Sequence, residues 1–143
     1  MKHEIYLDFV IADFEDITPD EISHKLGINP RKVYIKGTKK YPNSSTETLV
    51  KRSKWVIGST LSKYLTFEEH LNAMLDLLES KKNLLKPLCE KYNCFFSCAV
   101  FIDTDDSVST PSIYLDWRYN KLTRELKVDF DFDLYCLPQK TDS

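Results

Sequence analysis

The clearest pattern of hydrophobic and polar positions along the chain lies in residues 66–92. Apolar residues recur there at steps of three and four and form one stripe, which comprises Phe67, Leu71, Met74, Leu75, Leu78, Leu85 and Leu88. Thr66 and Glu69 have the spacing of a capping box, in which each side chain accepts a hydrogen bond from the other residue's backbone N–H. The pattern predicts an amphipathic helix, with Pro87 either kinking its last turns or dividing it near residues 80–83. The apolar stripe of this helix is expected to pack against a β-sheet.

Alternation of apolar and polar residues predicts the strands of that sheet. In residues 4–12 the apolar face comprises Ile5, Leu7, Phe9 and Ile11. In residues 127–135 the predicted core-facing residues are Val128, Phe130, Phe132 and Leu134, and the residues on the opposite face are Asp129, Asp131 and Asp133. Residues 94–103 are apolar on both faces, which predicts a central strand. Short strands are predicted at 33–36, 54–60 and 112–115.

Two further helices complete the predicted elements. Thr18 caps one helix, which ends at Gly27, and Asp116 caps the other over residues 117–126. The resulting order is β-α-β-β-α-β followed by β-α-β. We therefore expect an α+β fold, a ferredoxin-like βαββαβ core with a C-terminal βαβ-type extension, in which helices cover one face of a mostly antiparallel sheet. A single domain is expected over residues 1–137, followed by a polar tail at 138–143.

Composition narrows the class of protein. A chain of 143 residues with 42% hydrophobic content can bury a core without disulfides or metals. Its 3 glycines exclude a glycine-rich phosphate loop. The N-terminal residues enter a strand pattern directly, and no apolar run approaches the roughly 18 residues of a membrane span. We expect a cytoplasmic protein without membrane attachment, whose four cysteines are reduced thiols.

Charge is segregated along the chain, although the formal net charge is only −2. Acidic residues dominate residues 1–21 and 103–143, and basic residues dominate residues 31–54. Asp129, Asp131 and Asp133, here called the acidic row, should point the same way from one strand with carboxylates about 6.6–7 Å apart. If the first and last strands share a sheet face, Asp8, Tyr6 and Tyr135 join the row in one patch. Carboxylates with flanking aromatic rings suit a basic protein partner.

Three alternatives to this acidic partner-binding site remain. The row could simply keep an open sheet face soluble, or it could contribute to a carboxylate metal site of a metal-dependent hydrolase. The third alternative is a basic patch that binds nucleic acid or an acidic protein, comprising Lys36, Lys39, Lys40, Lys51, Arg52 and Lys54. The sequence pI of about 5.9 and the acidic flanking segments argue against non-specific nucleic-acid binding.

Catalysis has no positive support in the sequence. The histidines His3, His24 and His70 lack partners at metal-binding spacing, and no nucleophile elbow or zinc-protease motif is present. Cys98 lies within an apolar strand, where its thiol should be inert. We expect a non-catalytic binding protein without a cofactor or a bound metal.

Three segments also carry a family resemblance. They are TPDEISHKLGINP at 18–30, SKWVIGS with LTFEEHLNAMLDLL at 53–59 and 65–78, and DFDFDLYC at 129–136. Together they resemble a microbial family of domains of unknown function, DUF4279, over about residues 4–136. The family's usual glycine before the final strand is replaced here by Glu125-Leu126-Lys127. The resemblance implies a stand-alone domain and assigns no active site. By loose analogy with small immunity-type partners of toxins, an immunity-type inhibitor is the leading specific hypothesis.

Overall fold

The computed structural model describes residues 2–138. Within this range the strands are β1 (Glu4–Ala12), β2 (Lys32–Tyr34), β3 (Lys54–Gly58), β4 (Asn93–Ile102) and β5 (Asp129–Cys136). The helices are α1 (Pro19–Leu26), α2 (Phe67–Ser80), α3 (Lys82–Lys91) and α4 (Trp117–Glu125). The predicted polar tail lies outside the described residues from 139 onward.

The strands form one open sheet in the order β2-β3-β1-β4-β5. β1 pairs antiparallel with both β3 and β4, β2 pairs antiparallel with β3, and β5 pairs parallel with β4. The first four strands therefore have the order of a βαββαβ core, and β4-α4-β5 adds the parallel extension. The predicted α+β class and mostly antiparallel sheet are confirmed.

One predicted strand, at residues 112–115, is wrong. These residues have no regular secondary structure. Because β4 and β5 are parallel neighbours, the chain between them must return from the end of β4 to the start of β5. α4 makes part of that return, and residues 103–116, which form neither helix nor strand, make the rest.

The apolar stripe of residues 66–92 forms two helices. α2 begins with the predicted capping box, since Thr66 Oγ1 accepts the N–H of Glu69 at 3.2 Å and the Glu69 carboxylate accepts the N–H of Thr66 at 2.9 Å. The helix is interrupted at Lys81, and Pro87 lies inside α3. The predicted division near residues 80–83 is therefore confirmed.

All four helices pack on one face of the sheet. Each contributes to a single core, through Ile22, Leu75, Leu88 and Leu122 among others, and the inward residues of β1 complete it. Trp55 is fully buried, and its indole N–H donates to Ser23 Oγ at 3.0 Å, which ties β3 to α1. This face of the sheet is called the covered face below.

The prediction for β5 is only partly right. Val128 and Phe130 pack against the core, but Phe132 is 36% exposed and Leu134 is 59% exposed. Alternation correctly gives the face to which each side chain points. It does not say whether a helix covers that face. β5 is the outermost strand, and Phe132 meets the helical layer at Phe67, with ring centroids 5.9 Å apart.

Candidate functional site

The face of the sheet opposite the helices carries the residues predicted to form a site. We call it the open face. It comprises Tyr6, Asp8 and Val10 of β1, Lys54 and Val56 of β3, Phe95, Ser97, Ala99 and Phe101 of β4, and Asp129, Asp131, Asp133 and Tyr135 of β5. The register places Asp8, Ser97 and Asp131 side by side on three adjacent strands. The first and last strands thus share this face, with β4 between them.

The acidic row is exposed along the outermost strand. Asp129, Asp131 and Asp133 are all exposed, and within the described residues none of their three carboxylates forms a hydrogen bond or an ion pair. Their neighbours on β4 at two of the three positions are small, with Ser97 beside Asp131 and Ala99 beside Asp133. The two small side chains leave those carboxylates accessible from the β4 side.

Asp8 differs from the acidic row because its charge is compensated. Arg31 binds it in a bidentate manner, with Nε donating to Oδ1 at 2.9 Å and Nη2 donating to Oδ2 at 2.5 Å. This interaction raises the pKa of the Arg31 guanidinium. Gly58 leaves the space for it, since a Cβ atom there would lie 2.9 Å from Asp8 Oδ1. Asp8 also lies roughly 9–10 Å from Asp131, two strand spacings away. Asp8 therefore adds little net charge to the patch.

Three aromatic rings form a ladder across β1, β4 and β5. The Tyr6 and Phe101 rings meet edge to face with centroids 5.7 Å apart, and the Phe101 and Tyr135 rings stack at 4.9 Å. The Tyr6 hydroxyl donates to the Glu4 carboxylate at 2.8 Å, which raises the pKa of Tyr6. Tyr6 and Tyr135 are each more than 40% exposed. This aromatic ladder stands beside Asp133, at one end of the acidic row.

Sequence reasoning missed two members of this face. Phe101 links the two predicted tyrosines, and Arg31 neutralises the predicted Asp8. Both assignments depend on strand register and loop position, since Arg31 is 23 residues from Asp8 in the chain. The sequence showed that Arg31 belongs to the basic segment 31–54, but it did not show that Arg31 pairs with Asp8.

The predicted basic patch lies partly on the same face, on the side of β2 and β3. Residues 37–50 form a hairpin-like arm, in which the N–H of Lys40 donates to the carbonyl of Thr48 at 2.8 Å. Between the arm and the sheet is a groove of about 550 Å³, whose cationic side chains are Arg31, Lys40, Lys51, Arg52 and Lys54 and whose apolar floor is Val10, Val56 and Phe95. We call it the basic groove. Lys36 instead pairs with Glu15 at 3.7 Å, and Lys39 does not line the groove.

Arg52 connects the basic groove to the acidic row. Its guanidinium donates twice to Asp13, at 2.8 and 2.7 Å, and lies 5.6 Å from the centre of the Phe95 ring. The pKa of Arg52 is raised by Asp13 and, to a smaller extent, by the charge of Asp131. The two sites that the sequence presents as alternatives are therefore neighbours on one face, with opposite charge.

The chemistry available to catalysis is limited in the described part of the chain. Cys98 is fully buried, and burial raises the pKa of its thiol to about 12, which keeps it protonated and inert at neutral pH. His70 is buried as well, with Nδ1 2.8 Å from Ser59 Oγ, and burial lowers its pKa. Among residues 2–138, no three His, Cys, Asp or Glu side chains are grouped so that they could hold a metal ion.

A second cavity, of about 530 Å³, lies at the opposite corner of the molecule. It is bounded by the start of α2 and by the segment before α4, and it is lined by Ile5, Phe67 and Leu71 with exposed Tyr114 and Trp117 at its rim. Its charged lining residues are one cation, Lys2, and two carboxylates, Glu68 and Asp116. This single excess negative charge does not single out a class of ligand.

The chain belongs to the family described as a domain of unknown function (DUF4279), whose family model matches residues 3–137. This match confirms the resemblance drawn from the sequence. No curated protein and no solved structure is significantly similar to the chain. None of the helices in residues 2–138 is long and apolar enough to cross a membrane.

Proposed function

We propose that this protein is a non-catalytic binding protein that holds a basic protein partner on its open face. The observation that supports the proposal is the acidic row, three exposed carboxylates without partners among the described residues, beside the exposed rings of Tyr6 and Tyr135. Carboxylates attract a basic surface over long range and speed its encounter. The aromatic rings then supply contact area that is buried on binding.

The specific class that we propose is an immunity-type inhibitor of a bacterial toxin that acts on nucleic acid. Such a toxin must present a basic surface to its own substrate, and the acidic row matches that surface in charge. We place the protein in the cytoplasm. Free thiols are consistent with that compartment, since Cys89, Cys94 and Cys98 are buried and unpaired while Cys136 is exposed and unpaired.

The test of this proposal compares two variants with equal changes in net charge. One carries Asp129→Asn, Asp131→Asn and Asp133→Asn. The control carries Glu68→Gln, Glu90→Gln and Asp106→Asn, three exposed acidic residues away from the open face. A partner is first identified by a pull-down from the native host, and its association and dissociation rates are then measured at several salt concentrations.

We expect the acidic-row variant to associate about tenfold more slowly than wild type and to lose most of the salt dependence of association. The control variant should keep the salt dependence of the wild type, because long-range attraction depends on where the charges lie. Equal association rates for all three proteins would contradict the proposal.

A second candidate function uses the basic groove, where an acidic protein or RNA would bind. The observation in its favour is the convergence of five cationic side chains on one groove. Arg31 and Arg52 are already paired with Asp8 and Asp13, so Lys40, Lys51 and Lys54 would make the contacts. Replacing these three lysines with Ser should abolish binding if the groove is the site. It should leave binding intact if the acidic row is the site.

A further inference from the structure

The outer edge of β5 has no neighbouring strand among the described residues. β5 ends the strand order, and its eight residues are mostly exposed. The N–H of Leu137 donates to the carbonyl of Ile102 on β4 at 2.8 Å. Because the backbone N–H and C=O groups of successive strand residues point to opposite sides, those of Phe132 and Leu134 point away from β4. These groups are available to another strand.

From Asp131 onward, the side chains of β5 are also exposed on both faces of the sheet. The acidic row occupies the open face, and Phe132 and Leu134 are partly exposed on the covered face. An edge strand that combines free backbone groups with exposed apolar side chains invites pairing, and soluble proteins ordinarily block such edges. Here the charges of the acidic row restrict which strand can pair.

We propose that the edge of β5 binds an extended segment of the partner, in which Lys or Arg residues alternate with apolar residues. This inference rests on the proposed function. A strand paired with β5 would place every second side chain beside the acidic row at about 4.5–5.5 Å, where basic residues are favoured. The intervening side chains would lie beside Phe132 and Leu134, where apolar residues are favoured. The period of two therefore specifies the sequence pattern of the segment.

A second copy of this chain fits the same edge poorly. Two β5 strands paired antiparallel about a two-fold axis would place both acidic rows on the same face, directly opposite each other. Like charges opposed across two strands destabilise the pair. The charge of the row therefore favours a basic segment from another protein over a second copy.

The test uses synthetic peptides in place of the unidentified partner. One peptide alternates Lys and Val over seven residues, and a second has the same composition with the Lys residues grouped together. A third has the alternating sequence, but the backbone nitrogens that would donate to β5, at every second residue, are methylated. Binding to the intact protein is followed by fluorescence anisotropy at low salt, with the Leu134→Pro, Leu134→Ala and acidic-row variants in parallel.

We expect the alternating peptide to bind about tenfold more tightly than either control. The grouped peptide can form the ladder of backbone hydrogen bonds but cannot place every Lys beside the acidic row, and the N-methylated peptide cannot form the ladder. Leu134→Pro removes an outward N–H and no bond to β4, so it should abolish this preference without loss of the fold. Leu134→Ala keeps the N–H, and its affinity should stay within about threefold of wild type.

The outcomes separate this inference from the proposed function. If all three peptides bind equally and the acidic-row variant loses them all, the basic-partner proposal stands and edge pairing is wrong. If no peptide binds wild type more tightly than it binds the acidic-row variant, both are wrong. If sedimentation shows a dimer that Leu134→Pro dissociates, the occupant is a second copy and the inference is overturned. If Leu134→Pro proves unstable, the N-methylated peptide still tests whether binding depends on backbone hydrogen bonds to β5.

Discussion

The two faces of the sheet come from the same strands and differ in almost every physical respect. On β1, Leu7 and Phe9 of the covered face are essentially inaccessible, while Tyr6 of the open face is 42% exposed. The covered face is packed by four helices, and the open face carries only a small apolar cluster of Val10, Ala12, Val56 and Phe95. Stability is therefore concentrated on the covered face. The open face is left to carry charge and exposed rings.

The largest expected effect follows from removing core volume on the covered face. Leu75 is fully buried between α2 and the sheet, so Leu75→Ala should lower the free energy of unfolding by about 2–5 kcal/mol. Urea denaturation measures this change. The matched control is Leu134→Ala on the exposed end of β5, which should change the free energy of unfolding by less than about 0.5 kcal/mol. Equal changes in the free energy of unfolding for the two variants would refute the distinction between the faces.

The next effect concerns pH and the buried His70. Burial lowers the pKa of this imidazole, against weaker opposing effects of Glu69 and the Ser62 backbone. Because the folded state takes up this proton only at lower pH than the unfolded state, the stability contributed by neutral His70 is complete above about pH 6.5 and is lost as pH falls below it. We expect urea midpoints to fall between pH 7 and pH 5 for wild type. His70→Gln should show a smaller fall, and an unchanged fall would assign the pH dependence to other groups.

A smaller effect should follow from shortening the aromatic ladder. Tyr135 is about half exposed but stacks on Phe101, so Tyr135→Ala should cost about 0.5–1.5 kcal/mol of stability. Tyr135→Phe keeps the ring and serves as the control. The stronger consequence should be for binding, with affinity for the partner reduced about tenfold. If Tyr135→Ala binds the partner as tightly as wild type, the aromatic ladder is not part of the proposed site.

The smallest effect is expected for the ion pair that neutralises Asp8. The Arg31 side chain is 55% exposed, so a double-mutant cycle with Asp8→Asn and Arg31→Gln should give a coupling energy of about 0.2–1 kcal/mol. Arg31→Gln alone should speed association with a basic partner, because it leaves Asp8 uncompensated on the open face. Slower association would instead place the partner's contact on the basic groove.

Interactions close in the chain made much of this protein predictable from its sequence. The capping box of α2, the Thr18 and Asp116 caps, and the stripe of α2 and α3 depend on residues three or four positions apart. The three side chains of the acidic row point to the same face because side chains alternate along a single strand. For the same reason, the α+β class was predictable from the order of elements.

Contacts between distant segments decided the rest. The pairing of β5 with β4 put β5 at the sheet edge, which left Phe132 and Leu134 exposed despite their apolar character. Strand register placed Phe101 against Tyr135, and the fold of the loop before β2 brought Arg31 to Asp8. A one-dimensional pattern records which face a side chain takes. Only the tertiary structure decides what, if anything, lies across from it, because that depends on elements that the chain brings together from far apart.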